Sequence, residues 1–565
     1  MARINLILSA VLVVVIAAGS YAAEKLNILF VVVDDLKPTI GCYGDAVART
    51  PNLDRLGARG MVFDRAYCLQ AVCAPSRNAT LTGLRPEVLR IYDLGTNFRR
   101  RVPDVVTLPQ WFKQNGWKAE GIGKIYHVGH GNHEDPASWT VPHWPAKTID
   151  YVLPENRAKG LTREEALFGN SSTRVADLPR GAPFECADVP DNAYGDGKIA
   201  DEAVARLRAA RANAGQPFFI AVGFLKPHLP FCAPRKYWDM YDPAKLPMPD
   251  RDTPPDGAPK FAPTTWGELR QYSDIPDVGP VNPAKARQLI HGYYAATSYM
   301  DAQFGRVLDE LDALGLSKNT VIVLWGDNGW HLGDHGMWSK HTNYEQATRV
   351  PLIFSAPGHR GGQHTASLVE LTDIYPTLCD LAGAAKPAHL QGTSLVPVLD
   401  DAKVSPRAAA FQVFPRGTRE TGPMLGQAVR TERWRYIEWR KADSSAAARE
   451  LYDMQNDPGE TVNLADTQEQ KAAVAELEAM LNARLSERPP EGLKMVDPAK
   501  AQAAQARAAL FDHKDTNHDG ILTREEFMAG QPDPEQAAKR FEKFDVNKDG
   551  VLSREEFINM GATGK

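Results

Sequence analysis

The sequence predicts an α/β fold: one large, mostly parallel sheet with helices on both faces, then a small α+β subdomain and a C-terminal all-α module. Three observations predict it. The runs Asn27–Val33, Phe218–Phe224 and 321–325 are apolar without alternation, the pattern of strands buried on both faces. Helical patterns fall between them: Thr50 as N-cap before Pro51 with Leu53 and Leu56 on one face, and the amphipathic stretch 299–314. A short acidic loop pattern beginning at Asp515 recurs at Asp545 and defines the module.

The elements follow in order. Arg3, the apolar run 4–18, and the small residues Ser20 and Ala22 before a cut predict an export signal over 1–22. That run is short for a bilayer span, so the processed chain is expected to be exported, to the periplasm, the cell surface or beyond, with no stable membrane span. The large domain is expected over 23–405, with a further short strand at 351–355. Segments 126–190 and 243–283 are rich in Pro, Gly and polar residues and read as long loops over the sheet. Residues 406–487 read as the subdomain, with shorter strands, one at 434–439, and a helix at 468–485. A linker at 488–504 contains Arg488-Pro489-Pro490-Glu491-Gly492, and the module occupies 505–565.

Composition excludes little. Hydrophobic content of 43% and charged content of 24% are those of an ordinary globular protein. With 65 basic and 70 acidic residues the net charge is −5, which gives no reason to expect a nucleic-acid partner, although a local basic pocket is compatible with it. Six cysteines are too few to staple a chain of 565 residues.

Chemistry concentrates just past the strand ends, where open α/β sheets bind ligands. Asp34 and Asp35 follow the first strand, and Asp327 and Asn328 follow the strand at 321–325. Four oxygen donors without cysteine or histidine favour Ca²⁺ or Mg²⁺ over zinc. Cys73-Ala74-Pro75-Ser76-Arg77, continuing to Leu81-Thr82-Gly83, is the most informative stretch; read alone, Cys73 is a buried thiol, a disulfide partner for Cys68, or a nucleophile. Basic residues follow in Gly123-Lys124-Ile125-Tyr126-His127, in Lys226-Pro227-His228, and at Lys340 after Gly336-Met337-Trp338-Ser339.

Together these stretches resemble type I sulfatases, closest to the iduronate-2-sulfatase branch, through Val33-Asp34-Asp35-Leu36-Lys37-Pro38, Gln70 to Arg77, Lys226 to Phe231, and Glu450-Leu451-Tyr452-Asp453. The resemblance implies an alkaline-phosphatase-like sulfatase fold and hydrolysis of a sulfate ester on a sulfated saccharide. It implies that a formylglycine-generating enzyme oxidises Cys73, giving a gem-diol nucleophile and a covalent sulfo-enzyme. Asp34, Asp35, Asp327 and Asn328 are then the calcium ligands, with modified Cys73 completing the shell. Arg77 and Lys124 hold the gem-diol, Lys340 binds the sulfate, His228 protonates the leaving alcohol, and His127 takes the last hydroxyl proton. Asn328, His331 and His341 depart from the mammalian iduronate enzyme. The competing readings are a phosphatase or phosphodiesterase on the same fold and an inactive, calcium-dependent surface protein.

The module carries its own pattern. Asp515, Asn517, Asp519, Ile521, Thr523 and Glu526 take the ligand positions of a twelve-residue EF-hand loop around Gly520, and Asp545, Asn547, Asp549, Val551, Ser553 and Glu556 repeat it around Gly550. Two further Ca²⁺ ions are expected there, with Phe511, Phe527, Phe541, Phe544 and Phe557 packing the helices.

Overall fold

The computed structural model describes residues 25–157, 160–171, 173–517 and 519–560; the export signal expected over 1–22 lies outside them. The large sheet contains β1 (Asn27–Val33), β2 (Met61–Tyr67), β3 (Lys118–Gly123), β4 (Phe218–Phe224), β5 (Thr320–Gly326), β6 (Leu352–Ser355) and β7 (Gln363–Glu370). Strands β3, β4, β1 and β5 lie side by side and parallel. Beyond β5 come β6, antiparallel to it, then β2 and β7, which are parallel to each other. The two-residue strand Arg349–Val350 runs antiparallel on β2, just ahead of β6.

β1 is buried along its whole length because both faces of the sheet are covered. Ile28, Phe30 and Val32 join one core layer, and Leu29, Val31 and Val33 join the other. The helices that matter most here are α1 (Pro51–Arg59), α2 (Cys73–Thr82), α3 (Gly195–Ala212) and α4 (Pro283–Ala313). Helix α4 starts well before the expected 299, with Asn282 Oδ1 accepting from Lys285 N at 2.9 Å as its cap. Its middle, from Gly292 to Met300, is continuously buried, so it shows no amphipathic stripe for the sequence to reveal.

The subdomain is a four-stranded antiparallel sheet, β8 (Ala410–Thr418), β9 (Gly422–Arg430), β10 (Trp434–Lys441) and β11 (Ala446–Asp453), backed by α5 (Lys471–Leu485). Its strands are eight and nine residues long, not shorter than those of the main sheet as the sequence suggested.

The module holds α6 (Pro498–Lys514), α7 (Arg524–Met528), α8 (Pro534–Phe544) and α9 (Arg554–Asn559). Its two loops pair through a small antiparallel ladder, Leu522 opposite Leu552. Phe511, Phe527, Phe541 and Phe557 are buried between the helices, with Phe544 packed against them. Helix α6 begins inside the segment expected as linker. Leu493 and Met495 pack on the large core, and Val496 N donates to Arg101 O at 2.8 Å. The segment expected as a linker therefore packs on the large domain.

Candidate active site

Register gathers the acidic residues. Val33 pairs with Phe224 on one side and Gly326 on the other, so the chain continues into Asp34 beside Asp327. Asp327 N donates to Val33 O at 3.2 Å, and Asp35 N to Asp327 Oδ1 at 3.0 Å. Oxygens of Asp34, Asp35 and Asp327 come within 4.8 Å of one another, all three residues being buried. Asp35 adopts a left-handed φ of 59°, a backbone state rarely held by a non-glycine residue, while Tyr293 Oη donates to its carbonyl at 2.7 Å. Asn328 Nδ2 donates to Asp327 Oδ1 at 3.0 Å, whereas its buried Oδ1 has no partner among the described residues. Three converging carboxylates and an orphaned amide oxygen fit a hard divalent cation.

Cys73 is the first residue of α2, whose N-terminus no side chain caps. Its Sγ lies 3.8 Å from Asp35 Oδ1 and 3.9 Å from Asn328 Nδ2. A helix N-terminus favours negative charge, so a sulfate approaching here meets a favourable field. One turn on, the buried Arg77 sends Nε to Asp327 Oδ2 at 2.7 Å and Nη2 to Asp34 Oδ1 at 3.1 Å. Lys124, just past β3, donates its ammonium to Asp34 Oδ2. Lys340 Nζ straddles Asp35, 2.7 and 2.8 Å from its two oxygens, and sits between Ser339 and His341, both with positive φ.

His228, past β4, gives Nδ1 to the Leu229 carbonyl, which leaves Nε2 facing Glu268 Oε1 at 3.1 Å and Asp35 Oδ2 at 3.8 Å. His127 Nε2 contacts His130 Nδ1 at 3.1 Å. Burial, followed by the charges of Lys124 and His130, holds the His127 pKa well below the usual imidazole value, so its ring is neutral. Burial opposes ionisation of the acidic cluster; beside Asp34 the charges of Lys124, His228 and Arg77 prevail and lower its pKa. Asp35 is pushed up to about 6 by burial, with Lys340 and His228 opposing and Asp34 and Glu268 adding. Burial, with Asp34, also raises the Cys73 thiol well above its usual value.

These groups open on a cavity of ≈ 800 Å³ lined by Cys73, His127, His228 and Lys340. Arg77 and Lys124 sit behind it, engaged with Asp34 and Asp327. None of the described cysteines is paired; Cys68 is buried with its thiol 3.8 Å from Ala347 O, which removes the Cys68–Cys73 disulfide alternative.

The sequence missed Glu268, which also lies 3.2 Å from Lys340 Nζ, and the cavity-lining Glu164, whose carboxyl burial pushes up to about 8. Both come from the segments read as long loops, where no spacing marks one carboxylate among many; only loop length hinted at them.

In the module, Asp515 Oδ2 accepts from Gly520 N at 2.9 Å and Asp545 Oδ2 from Gly550 N at 3.0 Å, while Asn517 and Asn547 each donate to the aspartate two residues on, Asp519 and Asp549, at 2.8 Å. Glu526 and Glu556 fold back on their loops: Glu526 Oε1 accepts from Thr516 Oγ1 at 2.9 Å and Glu556 Oε1 from Val546 N at 3.1 Å. Ile521 and Val551 lie on the short ladder, opposite Ser553 and Thr523 respectively.

A mostly parallel sheet with this cavity at the carboxyl ends of its parallel strands places the chain in the alkaline-phosphatase-like α/β class, as the solved structures below share its fold. The sulfatase family model matches residues 26–384, and the chain belongs to the sulfatase family. The C-terminal model of N-sulphoglucosamine sulphohydrolase matches 333–487, and an EF-hand domain pair matches 504–560. Iduronate 2-sulfatase of Mus musculus is 36% identical over 405 residues, covering 66% of this chain and 71% of the mouse protein. A protein solved with its substrate D-glucosamine-2-N,6-O-disulfate superposes with a TM-score of 0.64 at 23% identity, over 83% of this chain and 100% of the other. The phosphonate monoester hydrolase of Silicibacter pomeroyi gives 0.65 at 23% identity, over 82% and 96%. The enzyme is thus a sulfatase, iduronate-2-sulfatase-like in sequence, with an EF-hand pair at its C-terminus.

Proposed function

We propose that this sulfatase removes sulfate from a 2-O-sulfated uronic acid, or a related acidic sugar, at a saccharide chain end. The observation that carries the reading is Cys73 at the head of α2, against Asp35 and Asn328 and open to the same cavity as His228 and Lys340. The choice of sugar rests on likeness to the mouse iduronate enzyme.

Oxidation of Cys73 to formylglycine by a maturation enzyme would supply a hydrated aldehyde, one hydroxyl attacking sulfur and the other later expelling sulfate. Calcium held by Asp34, Asp35, Asp327 and Asn328 would supply a Lewis acid for a sulfate oxygen. Lys340 balances the charge of the bound sulfate. His228, its Nδ1 tied to the Leu229 carbonyl, presents Nε2 to protonate the leaving alkoxide. His127 is kept neutral, the state needed to accept a proton when sulfate departs. Arg77 and Lys124 would hold the gem-diol, and their pairing with Asp34 and Asp327 fixes the carboxylates beside it. Export after cleavage within the first residues, and two further calcium ions in the EF-hand loops, belong to the same reading.

Two measurements test it. Mass spectrometry of the Cys73 peptide from active enzyme should show the aldehyde; an intact thiol in fully active protein sinks the mechanism. A panel of defined sulfated saccharides should favour terminal 2-O-sulfated uronic acids. Activity confined to 6-O-sulfated amino sugars overturns the sugar, and preference for an aryl phosphonate monoester overturns the reaction class.

A further inference from the structure

The junction between the EF-hand module and the large domain contains a second polar cavity, of ≈ 330 Å³. Its lining is basic and comes from both sides: Asn97, Arg99, Arg100 and His133 from the large domain, Gln505 and Arg554 from the module. The junction is built, not incidental. Gln505 Oε1 accepts from Asn97 N at 3.4 Å, its amide nitrogen donates to Gly131 O, and His133 Nε2 lies 3.6 Å from Asp512 Oδ2.

Most of the charges here are matched, and one is not. Arg99 makes a bidentate pair with Asp135, at 3.0 and 2.7 Å. Arg554 does the same with Asp512, at 3.0 and 2.9 Å, and the neighbouring Arg507 donates Nε to Ile558 O at 2.5 Å. The Arg100 side chain makes no hydrogen bond or ion pair among the described residues, although it is half-buried. Burial, then the like charges of Arg554 and Arg507, lower its pKa, with Asp512 and Glu555 only partly compensating. A guanidinium held in a crevice beside two others is stabilised by an oxyanion that takes its fork of donors.

This cavity adjoins the active site. Leu94 and His130 line the large cavity, and Asn97 and His133 line the small one, three residues further along each segment. The two segments are tied by Asn132 Nδ2 to Leu94 O at 3.1 Å and Asn97 Nδ2 to Asn132 Oδ1 at 3.0 Å. A saccharide bearing several sulfates and seated by one of them in the catalytic cavity therefore meets this wall, with further cations beyond it.

We propose that the crevice between the EF-hand module and the turn Phe98–Arg100 is a second sulfate-binding site, with Arg100 as its principal donor and Arg554, whose Nε and Nη2 face Asp512, as a supporting charge. Its occupant is a sulfate group, carried on a neighbouring sugar of a substrate chain or free as the released product. The saccharide arm rests on the function proposed above; the free-anion arm does not.

The test uses the calcium-loaded full chain carrying Cys73→Ala, so that nothing is turned over, and calorimetric titration with three probes: inorganic sulfate, a fully sulfated heparin-derived hexasaccharide, and unsulfated hyaluronan hexasaccharide. Arg100→Glu is then introduced; the Arg100 side chain has no hydrogen bond to lose, and the melting temperature of the variant against its parent checks that the fold survives the charge reversal beside Asp512 and Glu555. Tenfold or greater weakening of the sulfated hexasaccharide alone assigns the site to the substrate chain. Loss of an inorganic-sulfate site assigns it to the product. In the Cys73-containing enzyme, Arg100→Glu should leave the rate on a small aryl sulfate unchanged, and that rate also reports whether the sulfatase reading itself holds. Unaltered affinity for both sulfated probes, or equal weakening of the unsulfated one, overturns the proposal. Arg554→Gln with Asp512→Asn, which removes the paired carboxylate together with the guanidinium, should also weaken the sulfated probe if the module contributes directly.

Discussion

The Lys340 ammonium lies across the Asp35 carboxylate, 2.7 and 2.8 Å from its two oxygens. One side chain thus borders both the acidic cluster and the cavity where sulfate is expected. Opposite consequences follow for the two ligands.

Lys340→Ala should lower kcat/KM by a hundredfold or more while tightening calcium several-fold, because a competing cation leaves Asp35 as the sulfate's counter-charge disappears. Calcium titration monitored by turnover and by direct binding separates the two effects. Parallel loss of both affinities would show that Lys340 merely supports the fold.

His228→Ala should slow release from sugar sulfates roughly a hundredfold more than from nitrophenyl sulfates, since an alkoxide needs a proton and a nitrophenolate hardly does. Similar losses on both substrates would take His228 out of the acid role.

Arg435 is fully buried; its Nη2 donates to Glu345 Oε2 at 2.5 Å and its Nε lies 2.7 Å from Glu460 Oε1 as an ion pair, joining β10 to the segment that follows Lys340. Burial opposes the charge on Glu345, but Arg430 and Arg435 outweigh it and bring its pKa to about 2. A depressed carboxylate contributes stability that is complete above its unfolded value near ~4.3 and is lost as pH falls through about 2. Arg435→Met should destabilise by about 3–5 kcal/mol at neutral pH, where Glu345 is left charged and short of a partner. The deficit should shrink towards pH 2. A deficit independent of pH, measured by denaturant titration, would assign the loss to packing alone.

Deleting the chain after Asp497 should retain most turnover of a small aryl sulfate, because the acidic cluster and the cavity come from residues before 419. Cutting earlier, after Gly492, removes Leu493 and Met495 from the large core and should also lower the melting temperature. Glu526→Gln with Glu556→Gln should weaken two calcium sites and spare the third. Loss of aryl-sulfate turnover in a folded Asp497 truncation would make the module part of catalysis.

The parallel core was legible because β1, β4 and the centre of β5 are apolar without interruption, and the acidic pairs were legible because they follow β1 and β5 directly. The EF-hand loops were legible for the same reason, since their oxygens are spaced by a local geometry. Glu268 and Arg100 were not. Each matters through neighbours far away in sequence, His228 and Lys340 for Glu268 and the like charge of Arg554 for Arg100, and only the folded chain defines that proximity. The docking of the module escaped notice for a related reason: Gln505 and His133 are unremarkable in a sequence, and the Pro-Pro stretch reads only as a linker.

Cys73 is almost inaccessible, and Pro75 and Arg77 follow it into a helix buried from end to end. Under the proposed maturation this imposes an order of events. An oxidising enzyme that must grip the Cys73–Arg77 stretch can do so only while that stretch is still an open strand of polypeptide, before Arg77 closes on Asp34 and Asp327. Conversion then races against folding along the export route, and a molecule that folds first is sealed with its thiol intact: stable, correctly shaped and permanently idle. The fraction of active enzyme would record how that race was run, rather than how well the finished protein survives.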